Sequence, residues 1–253
     1  MRLYSWNVNG WRAALRKGLR EWVAASQPDI LCVQETKADP VRLAANEREL
    51  PGYQGDWAVA ERAGYSGVAT FVRDGFPLLQ GGLGNPRYDR EGRVLVHDCG
   101  DFDLYNVYFP NGKKDAGRLA YKLDFYSDFL AQIEARVAAG RPVIFCGDVN
   151  TAHHPIDLAR PAENAKISGF LPEERAWLDR WEAAGWVDSF RYLHPETQRY
   201  SWWSQRTAAR ERNVGWRLDY FWVHRSLLPR LRGAGIATEV QGSDHCPVWL
   251  EID

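Results

Sequence analysis

Arg141-Pro142-Val143-Ile144-Phe145-Cys146-Gly147-Asp148-Val149-Asn150 is the stretch on which the fold turns. Val143 to Cys146 has the length and β-branched content of a buried strand. The run then changes character. Gly147 lets the backbone turn sharply. Asp148 and Asn150 stand two apart, so along a continuing strand both side chains point to one side. A carboxylate and an amide aimed together can hold a water, a metal or a phosphate. The same residues also suit an Asx turn closing a core strand.

Outward from this stretch, other apolar runs end in the same way. Met1 to Val8 reads as a strand that continues into Asn7-Val8-Asn9-Gly10, and Ile30 to Gln34 as a strand that runs into Glu35. Gly67 to Arg73, Arg93 to Cys99 and Phe102 to Tyr108 read as consecutive strands, the last ending on Tyr108. Leu218 to His224, with Asp219 near its start, and Pro247 to Ile252, preceded by Gly242-Ser243-Asp244-His245, close the set. Helices are expected over Ala13 to Ala25, Pro40 to Leu50, Gly117 to Ala139 and Pro172 to about Ala184. Pro172 followed by Glu173 and Glu174 suits the positive end of a helix. Loops fall at 110–116, 151–169 and 204–215. Strands interspersed with helices give a layered α/β or α+β architecture, and the strand count points to two sheets packed face to face.

Composition narrows the class. The chain has 253 residues, 45% of them apolar, enough for a substantial core in one large domain or two small ones. The net charge of -1 provides no global basic field, so a nucleic-acid partner would have to be held by local Lys and Arg clusters. Lys113, Lys114, Arg206, Arg210 and Arg212 fall in two of the expected loops. The four cysteines form no CxxC pair and read as buried reduced thiols. No apolar run approaches the ~20 residues of a membrane span, and the start of the chain reads as a strand rather than a signal peptide. A cytoplasmic protein is expected, associated with the nucleoid if bacterial.

Six polar endings suggest a site on the rim of a sheet. The set holds carboxylates, amides, one Tyr and one His, with no phosphate loop of the GxxxxGK type. Hard oxygen ligands favour Mg²⁺ or Mn²⁺ over zinc. Such a set suits hydrolysis of a phosphate ester. His153 and His154 have the chemistry of metal ligands, but their place in a loop after Asn150 favours a structural or solvent-facing role.

Trp6-Asn7-Val8-Asn9-Gly10, Gln34-Glu35-Thr36-Lys37, Gly147-Asp148-Val149-Asn150 and Gly242-Ser243-Asp244-His245-Cys246-Pro247 resemble the exonuclease III family of apurinic/apyrimidinic endonucleases. Gly169-Phe170-Leu171-Pro172-Glu173-Glu174-Arg175 and Asn213-Val214-Gly215-Trp216-Arg217-Leu218-Asp219-Tyr220-Phe221 are similar to the branch containing the main human AP endonuclease. The resemblance implies one domain over 1–253, a four-layer α/β sandwich in which two mixed β-sheets are flanked by helices. It implies Mg²⁺, with Mn²⁺ able to substitute, bound by Glu35 with help from Asp244 and, more weakly, Asn9, which stands where the human branch has Asp. Asn7 lies beside Glu35. Asp148 orients or deprotonates the attacking water, and Asn150 helps to position it. His245, oriented by Asp219, contacts the scissile phosphate, and Tyr108 donates to it or sits against Asp148. Trp202, Trp216 and Leu218 align with a pocket for a base-free deoxyribose, Asn164 with a DNA-contacting amide, and Lys114 and Arg206 with positions that enter the DNA. Ile167 replaces the next such amide. Trp203, Trp222 and Trp249 are expected in the core.

The implied activity is a monomeric DNA repair nuclease. It would cut duplex DNA 5′ to an abasic site, leaving a 3′-hydroxyl and a 5′-deoxyribose phosphate, and process blocked 3′ ends as an exonuclease, phosphatase or phosphodiesterase. A phosphoesterase of the same fold acting on inositol phosphates or lipids is the nearest rival; a catalytically dead DNA-binding module is the rival of another class.

Overall fold

The structure, a computed structural model, describes residues 1–73, 75–206 and 208–253; position 207, inside the loop expected over 204–215, lies outside the described residues. Strands are β1 (Arg2–Asn7), β2 (Ile30–Gln34), β3 (Gln54–Ala58), β4 (Val68–Val72), β5 (Leu78–Gly81), β6 (Val94–Asp98) and β7 (Asp103–Tyr108). They continue as β8 (Val143–Asp148), β9 (Trp186–Asp188), β10 (Trp202–Trp203), β11 (Gly215–Trp216), β12 (Asp219–His224), β13 (Leu231–Ile236) and β14 (Val248–Ile252). Two six-stranded sheets form, in the orders β13-β14-β1-β2-β4-β3 and β5-β6-β7-β8-β12-β9. Both are mixed: β1 runs parallel to β2 and β7 parallel to β8, and their other neighbours are antiparallel.

The apolar run of β8 is continuous because both of its faces are buried. Ile144 and Cys146 face the inter-sheet core with Leu3, Ile30, Cys32, Leu104 and Phe221. Phe145 faces the other way, onto Phe125, Phe129 and Ile133 of the long helix Ala116–Ala138 and Trp181 of the helix Pro172–Ala183. On the far side, Trp6, Leu31, Val33 and Phe71 pack under the helices Trp11–Arg16 and Leu19–Ser26. Helix, sheet, sheet, helix is the four-layer sandwich that the sequence led us to expect. All four cysteines are buried and free.

Several boundaries differ from expectation. The single helix expected over Ala13 to Ala25 is two, broken at Gly18, whose φ of 95° lies outside the helical region. Pro40 to Leu50 divides into a 3₁₀ turn, Pro40–Arg42, and the short helix Ala45–Arg48. The long helix starts where Asp115 caps it, its side chain accepting from the Arg118 N–H at 2.8 Å.

Gly147 lets β8 lie close against the β7 backbone. It sits at φ 137°, and a Cβ there would lie 1.8 Å from the Val107 carbonyl oxygen. Because that obstacle is backbone in the paired strand β7, Gly147→Ala is expected to lower stability by about 3 kcal/mol or more. Urea denaturation would measure it; a loss below about 1 kcal/mol would show that β7 can yield.

Candidate active site

The parallel pairs β1–β2 and β7–β8 bring four strand ends to one rim, and antiparallel β12 begins there. Register places Tyr108 and Asp219 on either side of Asp148. The rim of the other sheet contributes Asn7, with Glu35 just beyond β2. One side chain joins the two: Asn7 Nδ2 donates to Glu35 Oε1 and to Asp148 Oδ2, each at 2.9 Å.

Asp148 is held from three directions. Its Oδ1 accepts from the Asn150 N–H at 2.8 Å, and its Oδ2 from Asn150 Nδ2 at 3.1 Å. His245 Nε2 stands 3.9 Å from Asp148 Oδ2, while its Nδ1 meets Asp219 Oδ2 at 2.8 Å. Burial raises the Asp148 pKa; the His245 charge opposes this, the Asp219 and Glu35 charges add to it, and the carboxyl stands at about 7. For His245, burial alone would disfavour the imidazolium. The Asp219 charge and hydrogen bond outweigh it, with Asp148 and Asp244 behind, and lift the pKa to about 10. His245 is therefore a cationic donor at neutral pH. Tyr108 is pushed well up by burial and by the Glu35 and Asp148 charges, so its hydroxyl stays protonated.

A second group of oxygens lies alongside. Asn9 Nδ2 donates to Asp244 Oδ1 at 2.9 Å, and Trp202 Nε1 to Asp244 Oδ2 at 3.2 Å. Lys37 Nζ sits 2.7 Å from Glu35 Oε2 and 2.5 Å from Asn9 Oδ1. Burial would raise the Glu35 pKa, but the Lys37 charge and the Asn7 hydrogen bond bring it below the usual value. Asp244, half-buried like Glu35, is lowered by His245 and by its Asn9 and Trp202 donors, against desolvation. An ammonium already resting on Glu35 and Asn9 shows that these oxygens accept a cation. Ligand atoms of Asp148, Asp219 and His245 also lie within 4.8 Å of one another; with His245 protonated, the two carboxylates are the groups there that could meet a metal.

The backbone here is strained. Asn9, Glu35, Lys37 and Asn150 all have φ between 48° and 56°. Asn tolerates this left-handed region; Glu and Lys adopt it at a cost of about 1 kcal/mol or more, a pattern that clusters at functional sites.

Trp202 and Trp216 pair across β10 and β11, with ring centroids 6.4 Å apart at 82°. They rest on buried Leu218, Phe170, Leu158 and Ala152. Lys113, an exposed residue, brings its Nζ within 5.0 Å of the Trp202 ring and 5.8 Å of the Trp216 ring, where partial desolvation lowers its pKa.

Not every sequence candidate joins the cluster. Lys114 is exposed beside Asp115, and Arg206 is exposed in its loop. Asn164 Nδ2 donates to the carbonyls of Ala159 and Arg160, within its own segment. Arg210 donates to the carbonyls of Thr238, Val240 and Ser243 and stacks on Trp203, so it clips the C-terminal loop to the fold rather than standing as surface charge. Trp203 and Trp222 are buried as expected; Trp249, also expected in the core, is only half-buried and covers Gly233 and Gly235.

Other residues were missed in the sequence. Ser201 Oγ donates to Asp219 Oδ2 at 2.6 Å and accepts from the N–H groups of Leu218 and Asp219. Asn111 Nδ2 donates to Asn150 Oδ1 at 3.0 Å. Lys122, buried in the long helix, donates to the Asn150 carbonyl. Asn111 lies in an expected loop, and no local pattern marks it or Ser201; the periodicity of the long helix places Lys122 only on its buried side.

A two-sheet sandwich whose joined rims carry carboxylates, amides and a cationic His–Asp pair defines a hydrolase site able to hold a metal. The chain belongs to the Endonuclease/Exonuclease/phosphatase family, whose family model matches residues 4–245. It is 42% identical to the DNA repair nuclease APEX1 of Danio rerio over 99% of this chain and 81% of that one. It is 40% identical to the exodeoxyribonuclease of Bacillus subtilis over 100% of both chains. Among solved structures, the Neisseria 3′ phosphatase NExo bound to product DNA hairpin superposes with a TM-score of 0.89 at 26% identity, covering 100% of this chain and 99% of that one.

Proposed function

We propose that this protein is a DNA repair nuclease that hydrolyses the phosphodiester 5′ to an abasic site in duplex DNA and also processes blocked 3′ ends. The observation that carries the reading is the placement of the Asp148–His245–Asp219 cluster beside the Trp202–Trp216 cradle, linked through the Trp202 hydrogen bond to Asp244. The resemblance of the site motifs to AP endonucleases and the names of the relatives support it.

Glu35, with Asp244 and Asn9, would hold Mg²⁺, for which Mn²⁺ can substitute; when bound, the ion neutralises charge building on the phosphate oxygens. The remaining steps belong to the chain's own residues. Asp148 takes the proton of the attacking water, and its raised pKa suits that task near neutrality. Asn7 and Asn150 fix the carboxylate that does so. His245 donates from Nε2 to a phosphate oxygen, and Asp219 holds its ring and its charge. The 3.9 Å between His245 Nε2 and Asp148 Oδ2 is too long for a direct hydrogen bond and leaves both groups facing the reacting centre. Tyr108 adds a neutral donor. Trp202, Trp216 and Leu218 receive a deoxyribose that has no base to unstack, so turning it out of the helix costs little. Lys114, Arg206 and Asn164 meet the DNA around this centre.

The test is cleavage of a labelled duplex carrying one abasic analogue, with Mg²⁺ and with EDTA, beside an undamaged duplex. Incision 5′ to the lesion that requires Mg²⁺ is the expected result; no incision by folded protein with Mg²⁺ present would remove the abasic-site reading. Trp216→Ala is expected to slow abasic-site cleavage about tenfold, the effect of losing one aromatic contact, and to change 3′-end trimming much less. Equal losses in the two assays would argue against a lesion pocket.

A further inference from the structure

His153 and His154, three and four residues beyond Asn150, lie against the helix Pro172–Ala183 with their imidazole rings stacked, centroids 3.7 Å apart. His153 is buried, His154 half-buried. His153 Nε2 stands 2.8 Å from Asp179 Oδ1 on that helix. A hydrogen bond there places the proton on Nε2 and leaves Nδ1 with a free lone pair. Another acceptor, Glu182 Oε1, lies 3.8 Å from Nδ1. Ligand atoms of His153, His154 and Glu182 all lie within 4.8 Å of one another.

Two acceptors this far apart need a donor or a cation between them, and the His154 nitrogen close by adds a third electron-rich atom to the same space. We infer that His153, His154 and Glu182 form a binding site for a divalent transition metal, such as zinc or cobalt, separate from the active centre.

The donor chemistry fits. Two imidazoles and a carboxylate suit zinc and its neighbours rather than Mg²⁺. The Asp179 hydrogen bond is the outer contact that orients a metal-binding imidazole and raises its basicity. Burial holds both histidines below their usual pKa, His154 adding to the effect at His153, so both rings are neutral at pH 7, the form that binds metal. Ligands of a tetrahedral ion at about 2.0–2.1 Å lie about 3.3 Å apart, so the group must draw together. Glu182 faces solvent with 44% of its side chain exposed and is free to swing in. An ion bound here would fasten the segment after Asn150 to the helix whose Glu174 anchors Lys122.

Cobalt(II) reports such a site directly, because four-coordinate Co²⁺ with nitrogen ligands absorbs visible light. The intact protein is titrated with Co²⁺ in excess Mg²⁺, which occupies hard-oxygen sites. The expected result is a visible band saturating at one Co²⁺ per chain and a melting temperature that rises with Co²⁺. His154→Gln and Glu182→Gln are each expected to weaken binding at least tenfold, and Asp179→Asn by about tenfold, with melting temperatures in EDTA unchanged. His154 is half-buried and Glu182 exposed, so these variants keep the fold. Absence of a saturable band, or affinity unchanged in either the His154 or the Glu182 variant, would overturn the site.

Discussion

Asp148→Asn is expected to reduce cleavage of abasic duplex about 10³-fold or more while leaving binding of the same duplex within roughly tenfold. The amide has the shape of the carboxylate but cannot take a proton from water. Its hydrogen-bonding penalty is also foreseeable. Oδ2 of Asp148 accepts from two amide groups, Asn7 Nδ2 and Asn150 Nδ2, whereas Oδ1 accepts from the Asn150 N–H. An asparagine oxygen would turn towards the pair, setting its NH₂ against the Asn150 N–H, at a cost of about 1–3 kcal/mol in stability. Neither change touches the Trp202–Trp216 cradle. Single-turnover cleavage in Mg²⁺ and fluorescence anisotropy in EDTA separate the two effects. Cleavage at the native rate would remove Asp148 from the chemical step.

Lys122→Met is expected to cost about 3–5 kcal/mol of stability, because it removes one partner of a buried ion pair and strands the other. Lys122 and Glu174 are fully buried and 2.7 Å apart. The ammonium also donates to the Asn150 carbonyl at 2.7 Å and to Thr151 Oγ1 at 2.8 Å. Methionine leaves the Glu174 carboxylate buried without its cation and frees the carbonyl next to the site. Glu174→Gln in the Lys122→Met background is expected to recover part of the loss, because the remaining group is neutral while Ser168, Gly169 and Leu171 still supply donors. Urea denaturation of both variants measures this. A single variant within about 1 kcal/mol of the parent would show that water reaches the pair.

The strands at the centre of each sheet were legible because burial on both faces imposes an unbroken apolar run. The four-layer order came from resemblance, since periodicity alone does not say which sheet a strand joins. β3, β5, β9, β10, β11 and β13 went unseen. Gln54-Gly55-Asp56-Trp57-Ala58 and Leu78-Leu79-Gln80-Gly81 are partly exposed and carry little alternation, and Gly233 and Gly235 interrupt β13 where Trp249 needs room. Site residues at strand ends stood out as polar groups closing greasy runs. Ser201, Asn111 and Lys122 did not, because each acts through a partner distant in sequence. The left-handed backbone at Glu35 and Lys37 has no marker in residue type at all.

The amide of Asn7 has a consequence for how the active centre can be lost or moved. It reaches Glu35 on one sheet and Asp148 on the other, and His245 enters from the turn before β14. No continuous piece of chain shorter than 7–245 contains the set. The centre is therefore a property of the joint between layers rather than of either layer. A fragment that folds one sheet correctly would carry half the groups, well ordered and inert. Grafting one loop onto another scaffold would transfer no chemistry, and a substitution deep between the sheets that shifts one against the other would be felt at the rim as a change of rate before it was felt as unfolding.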